Sequence, residues 1–131
     1  MSEVQAVKKG KVVLVGHCGP DSSYLRIAVQ KAIPGAQILS ADDQSSLDRH
    51  LEDGADLVLL NRVLDYGFPS DSGIEMVSEI RRTHPAARTM LVSNYAEAQA
   101  GAVAAGALPG FGKRELGTPR VAQLLRDAVR P

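Results

Sequence analysis

The segment DLVLLNRVLDYGFPSDSGIEM, Asp56–Met76, changes its hydrophobic period halfway along. It starts with four apolar residues, Leu57–Leu60, bounded by polar ones. A run that short is a strand buried on both faces, as in parallel sheets. From Ser72 the apolar residues Ile74, Met76, Val77 and Ile80 fall at helical spacing, so Ser72–His84 is predicted to be an amphipathic helix ending before Pro85. Strand, loop and helix in that order make one βα unit. The strand stops at Asn61, so an amide stands at its carboxyl end and not a carboxylate.

The same alternation extends in both directions. Upstream, KVVLVG (Lys11–Gly16) is rich in β-branched valine and reads as a buried strand. Asp21 is a candidate helix N-cap, with Tyr24, Leu25, Ala28, Val29 and Ala32 following at helical spacing. Pro34 and Gly35 end that helix. Ala36–Ala41 is a second strand, and Asp43–Glu52 a helix ended by Gly54. Downstream, Thr89–Ser93 is the fourth strand and Ala96–Ala105 an alanine-rich helix. Ala107–Gly112 is a fifth strand interrupted by Pro109 and Gly110. Thr118–Val129 is the last helix, with Val121, Leu124, Leu125 and Val129 on one face. Five such units imply an α/β fold, a doubly wound five-stranded parallel sheet with helices on both faces.

At 131 residues the chain fits one domain, long enough to bury about two-thirds of its unfolded surface. The expected division is a flexible segment, 1–10, followed by a single domain, 11–131. Apolar residues are 44% of the chain and aromatic ones 4%, so the core is aliphatic. Fifteen basic and fifteen acidic residues balance, which provides no basic field for nucleic acid. Lys8, Lys9 and Lys11 read as a solvated cluster. The single cysteine, Cys18, excludes an intrachain disulfide and fits a reducing compartment. There is no apolar leader and no run long enough to span a bilayer, so the expectation is a cytoplasmic protein with no membrane partner.

In open parallel sheets the working site lies beyond the carboxyl ends of the strands, at the topological switch point. The residues there are Gly16–Asp21, Asn61–Asp71, Ser93–Tyr95 and Lys113. The order of elements, with DLVLLN…P…SG.E, MLVS, GA…FGK and the closing amphipathic helix, resembles the receiver domains of two-component response regulators. The resemblance covers about Lys11 to Val129. It implies a CheY-like, flavodoxin-like (βα)5 fold with strand order 2-1-3-4-5 and a role in signal transduction or a phosphorelay.

Receivers carry a phosphoryl group on an aspartate ending the third strand. An acid pair after the first strand holds Mg²⁺, and a Ser or Thr and a Lys bind the phosphoryl oxygens. By this resemblance Ser93 matches the hydroxyl and Lys113 the lysine. Gly16 and His17 stand where the acid pair would be, and Asn61 where the phosphorylated acid would be. An amide is a poor nucleophile, and hard divalent cations are held largely by carboxylates. Mg²⁺ binding is therefore expected to be weak or absent, with no other cofactor. Asn94, bulkier than the small residue usual after the Ser or Thr, is expected to fill the pocket. Gly110 replaces the aromatic three residues before the lysine, with Phe111 beside it.

Asp65 is the alternative acceptor, since Pro69 and Gly73 follow it at the family's spacing. A strand from Leu57 to Asp65 would run roughly 30 Å, about twice its neighbours. Strand length thus favours Asn61 at the switch point, with Arg62–Ser72 as an enlarged loop and Asp65 a solvated acid or a partner of Arg62. The loop Gly16–Asp21 lies before a helix N-terminus and could hold a small anion or nucleotide with Ser93 and Lys113, although it lacks the glycine patterns of nucleotide sites. His17, Cys18, His50 and His84 have no metal-ligand spacing, and Cys18 reads as a buried small thiol.

The expected protein is an atypical receiver domain, not an enzyme, that works by protein–protein interaction. The partner surface expected from the resemblance is the Ala96–Ala105 helix, the fifth strand and the last helix, for another protein or a second copy. The sequence ends at Pro131 without an output domain, so the signal passes through another protein, or the chain is part of a longer one.

Overall fold

The computed structural model describes residues 10–130. The strands are β1 (Lys11–Val15), β2 (Gln37–Ala41), β3 (Leu57–Asn61), β4 (Arg88–Val92) and β5 (Leu108–Phe111). The helices are α1 (Gly19–Ala32), α2 (Gln44–Glu52), α3 (Gly73–Thr83), α4 (Ala96–Ala105) and α5 (Pro119–Ala128). The strands form one parallel sheet in the order β2-β1-β3-β4-β5. The type and order of the strands and α-helices match the expectation, with ends shifted by one or two residues, and a 3-10 turn, Lys113–Glu115, lies unexpected between β5 and α5.

Alternation along each strand divides the core between the two faces. Val12 and Leu14 of β1, with Leu57 and Leu59 of β3, pack against Leu25 and Val29 of α1 and Val121 and Leu125 of α5. Val13, Val15, Val58 and Leu60 point the other way, onto Leu47 of α2, Met76 and Ile80 of α3 and Ala102 of α4. Each of these side chains is at most 2% exposed. The central strand β3 is buried on both faces, so its sequence is apolar without alternation. Pairing places Val15 opposite Leu60 and Asn61 opposite Val92, which fixes the carboxyl ends of β1, β3 and β4 along one edge.

Local chemistry explains the helix starts and corrects one of them. Asp43, Ser72 and Thr118 each accept a hydrogen bond from the backbone N–H three residues on, as N-caps do. Asp21 is not an N-cap. Helix α1 begins earlier, at Gly19-Pro20, with Cys18 as N-cap, because proline suits the first helical turn. Asp21 thereby falls in the first turn, its side chain free to reach elsewhere. Tyr24 is exposed, so the buried stripe of α1 is Leu25, Val29 and Ala32. Cys18 is exposed as well, contrary to the buried thiol expected.

Residues 1–9 of the segment expected to be flexible, including Lys8 and Lys9, lie outside the described residues. Gly10 belongs to the domain: it is buried, and its carbonyl accepts the Gln37 N–H at 3.0 Å. Among the described residues no helix is long and apolar enough to cross a membrane.

Candidate functional site

Between β1 and β3 the chain reverses its winding direction, and the residues beyond those strand ends meet there. Gly16 follows β1 with φ +77°, and a Cβ on it would lie 2.5 Å from Leu64 Cδ2. Leu64 comes from the loop after β3 and is 3% exposed. An aliphatic side chain therefore fills the space in front of the β1 end.

His17 turns back over the sheet, and its Nε2–H donates to the Leu59 carbonyl at 2.8 Å. That bond fixes the tautomer and leaves Nδ1 as the basic nitrogen. Nδ1 is buried without a hydrogen-bond partner. Burial lowers the imidazole pKa; the bond to Leu59 opposes this, the Lys113 charge adds to it, and Asp21 opposes it.

Asp21 and Lys113 are joined across the edge, Nζ to Oδ2 at 2.6 Å, each side chain about a third exposed (31% and 34%). Lys113 opens a 3-10 turn, Lys113–Glu115, after β5. The hydrogen bond from Lys113 holds the Asp21 carboxyl below the usual carboxylate range.

Beyond Asn61 the loop closes on itself. Val63 pairs with Ser72 in an antiparallel bridge, the Leu64 N–H donates to the Asp71 carbonyl at 2.8 Å, and the Gly73 N–H to Arg62 at 2.8 Å. Leu64 and Phe68 pin the loop to the core, and the Gly67 carbonyl accepts from Gln44 N–H. Asp65 and Tyr66 are left exposed at the tip. Asn61 is the last residue of β3, and its Nδ2 donates to the Val63 carbonyl at 2.9 Å. Arg62 lies over the Tyr95 ring, 5.0 Å from its centroid.

Asn61, Arg62, Ser93, Asn94, Tyr95 and Lys113 line a cleft of about 250 Å³ between the ends of β3 and β4. Asp65 does not line it. Ser93 is 9% exposed, and its Oγ accepts the Tyr95 N–H at 3.1 Å. Asn94 does not plug the cleft as its bulk led us to expect. Its side chain turns towards the 3-10 turn after β5, where Oδ1 accepts the Arg114 N–H at 3.2 Å. Gly112 makes that possible, since a Cβ there would lie 1.9 Å from Asn94 Oδ1. Among the described residues, no three His, Cys, Asp or Glu side chains converge as a metal site would need.

Thus the structure brings together Asn61, Ser93, Asn94 and Lys113, with Asp21 tied to the last. It places Gly16 and His17 at the neighbouring strand end and leaves Asp65 outside. Sequence reasoning missed Leu64, although an isolated leucine four residues before Phe68 in a polar loop is a signal for an anchored loop. It also missed Gln99, the one amide among the small residues of α4. Gln99 Nε2 lies 2.9, 3.1 and 3.3 Å from the carbonyls of Leu91, Ser93 and Phe111, and Oε1 accepts the Gly110 N–H at 3.1 Å. It bridges β4 and β5 where their register shifts between Met90 and Val92.

The strand order and the flanking helices define the flavodoxin-like fold of receiver domains. The signal receiver domain of a DNA-binding response regulator (merR) from Colwellia psychrerythraea 34H superposes with a TM-score of 0.71 at 18% identity, over 92% of this chain and 98% of that one. The beryllofluoride-activated NtrC4 receiver domain dimer gives 0.69 at 14% identity, over 91% and 95%. The RcsB response regulator of Salmonella typhimurium gives 0.74 at 14% identity, over 95% of this chain, which spans 63% of the RcsB chain. Comparison with protein-family models gave no match, and neither did comparison with curated proteins.

Proposed function

We propose that the protein is an atypical receiver domain of a two-component-type system, acting by protein–protein interaction and not switched by aspartyl phosphorylation. The observation that carries this reading is Asn61 at the end of β3, its amide bonded to Val63. On the receiver pattern this is the phosphoacceptor position, and an amide there offers neither nucleophile nor charge. Mg²⁺ takes oxygen ligands in near-octahedral array. The β1 end offers a glycine covered by Leu64 and an imidazole bonded to Leu59, while Asp21 is held by Lys113. These groups do not suit a resident Mg²⁺.

The docking half of the reading is supported by the face of α4, β5 and α5. A shallow groove there is lined by Ala96, Ala100, Val103, Pro109 and Phe111, with Val103 45% exposed. Small side chains leave that face open to close approach. A protein partner or a second copy fits it, and the reading includes no enzymatic activity.

Intact-mass measurement after incubation with a small phosphodonor and Mg²⁺ tests the central point. The wild type should gain no phosphoryl group. A Mg²⁺-dependent gain abolished by Asp65→Asn would overturn the reading in favour of Asp65 as acceptor.

A further inference from the structure

We infer that the groove between α2 and α3 is a docking site for a lysine- and arginine-rich segment of a partner protein. It shares no lining residue with the groove on α4 and β5 or with the cleft at the ends of β3 and β4. The inference therefore stands without the function proposed above.

On this side of the sheet α3 packs on α4, but α2 and α3 stand apart. The gap is a groove of about 660 Å³. Each helix turns one stripe to it, Gln44, Asp48 and Glu52 from α2 and Glu75 and Glu79 from α3. Residues four apart lie on one helix face, roughly 6 Å from each other along the axis. Met76, 2% exposed, gives the groove an apolar base.

The charge is one-sided. Fifteen acidic and fifteen basic residues balance over the chain, yet four carboxylates and no lysine or arginine line this groove. Arg82 pairs with Glu79. Asp48, Glu52 and Glu75 have no ion pair among the described residues. The carboxylates are strung along the groove and do not converge: among the described residues, no three His, Cys, Asp or Glu side chains could hold one metal ion. A row of anions repeating at roughly 6 Å fits a row of cations and not a single one.

A second observation points to a donor in the same place. Gln44 donates from Nε2 to Asp48 at 2.8 Å, and its Oε1 is buried without a hydrogen-bond partner. A buried amide oxygen left so is costly, and an N–H from an occupant removes the cost. Lysine and arginine bring donors and no acceptors, and their alkyl stems suit an apolar base such as Met76.

The test is fluorescence anisotropy of a labelled peptide of three Lys-Leu-Ala-Lys repeats, titrated with the full chain. The control peptide has glutamate in place of every lysine. The lysine peptide should bind saturably and more weakly as chloride rises, because exposed charges are screened. The glutamate peptide should not bind. Glu52→Lys and Glu75→Lys, both at exposed positions, should each weaken binding about fivefold, as loss of an exposed ion pair does. Asp127→Lys makes the same change of charge on α5, across the sheet, and should leave binding unchanged. No binding of the lysine peptide, or equal losses in Asp127→Lys and Glu52→Lys, would overturn the inference. So would spermidine binding as tightly as the peptide, which would assign the groove to a free polyamine. Self-association abolished by Glu52→Lys would overturn it as well, by seating a second copy there. Glu52→Lys keeps the test decisive should Glu75→Lys, which loses its bond from Ser70, disturb the start of α3.

Discussion

Leu64 Cδ2 sits 2.5 Å from where a Cβ on Gly16 would be, and Gly16 itself has φ +77°. Two independent facts thus reserve the position after β1 for glycine: backbone conformation and a buried neighbour. An acidic residue cannot stand at Gly16 unless Leu64 moves. Gly16→Asp should therefore destabilise the protein by about 1–3 kcal/mol, from left-handed backbone strain and overpacking. Leu64→Ala should cost about 2 kcal/mol. The double variant should be more stable than the sum of the two losses, since the alanine vacates the space the aspartate needs. Urea unfolding of the four proteins measures the coupling, and strict additivity would refute the contact.

Gln99 has an equally specific expected effect. Its amide serves carbonyls of both β4 and β5, and its oxygen takes the Gly110 N–H. Gln99→Leu keeps the bulk, leaves the Gly110 N–H without its Gln99 acceptor and removes the amide's bonds to the carbonyls, at a cost of about 1–3 kcal/mol. Amide hydrogen exchange should show the loss concentrated at Gly110 and the residues of β5. Uniform loss across the sheet would contradict the bracing role.

His17 gives a pH dependence of fixed sign. Burial holds its pKa in the folded state below the ordinary 6.5. As pH falls, the unfolded state takes up this proton first, and stability rises with pH wherever the unfolded state binds more protons. The His17 contribution is therefore complete above 6.5 and is lost as pH falls from there through the lower folded value. Urea midpoints measured between about pH 7.5 and about pH 5 should decline for the wild type. His17→Gln should flatten that decline, and identical profiles for the two proteins would contradict the assignment.

The face of α4, β5 and α5 is tested by placing a charge in its groove. Val103 is 45% exposed, so Val103→Asp should leave the unfolding midpoint within about 0.5 kcal/mol of wild type. Any self-association seen by sedimentation velocity should be lost in the variant. Self-association that survives Val103→Asp would place the interface elsewhere.

Hydrophobic periodicity was enough to read every strand and α-helix, though not the 3-10 turn Lys113–Glu115. Strands such as Val12–Val15 and Leu57–Leu60 are apolar because both faces are covered, and their spacing admits little else. At the site, residues whose meaning is set by position in a strand were legible: Asn61 at the end of β3, and Ser93 and Lys113 after β4 and β5. Contacts set by tertiary structure were not. Asp21 reads as a cap by local rules, yet Gly19-Pro20 starts the helix earlier and releases its side chain to Lys113. Asn94 looks like a plug by volume, but the space over Gly112 draws its side chain away. Arg62 could pair with Asp65 by proximity in sequence, whereas the Val63–Ser72 bridge turns the loop and sets Arg62 over Tyr95.

The most direct measurement is a beryllofluoride titration, with and without Mg²⁺, of the wild type and Asn61→Asp. The account predicts no saturable, Mg²⁺-dependent binding by the wild type. It predicts none by Asn61→Asp either, because Leu64 still covers Gly16 and Lys113 still holds Asp21. Saturable Mg²⁺-dependent binding by the wild type would contradict it.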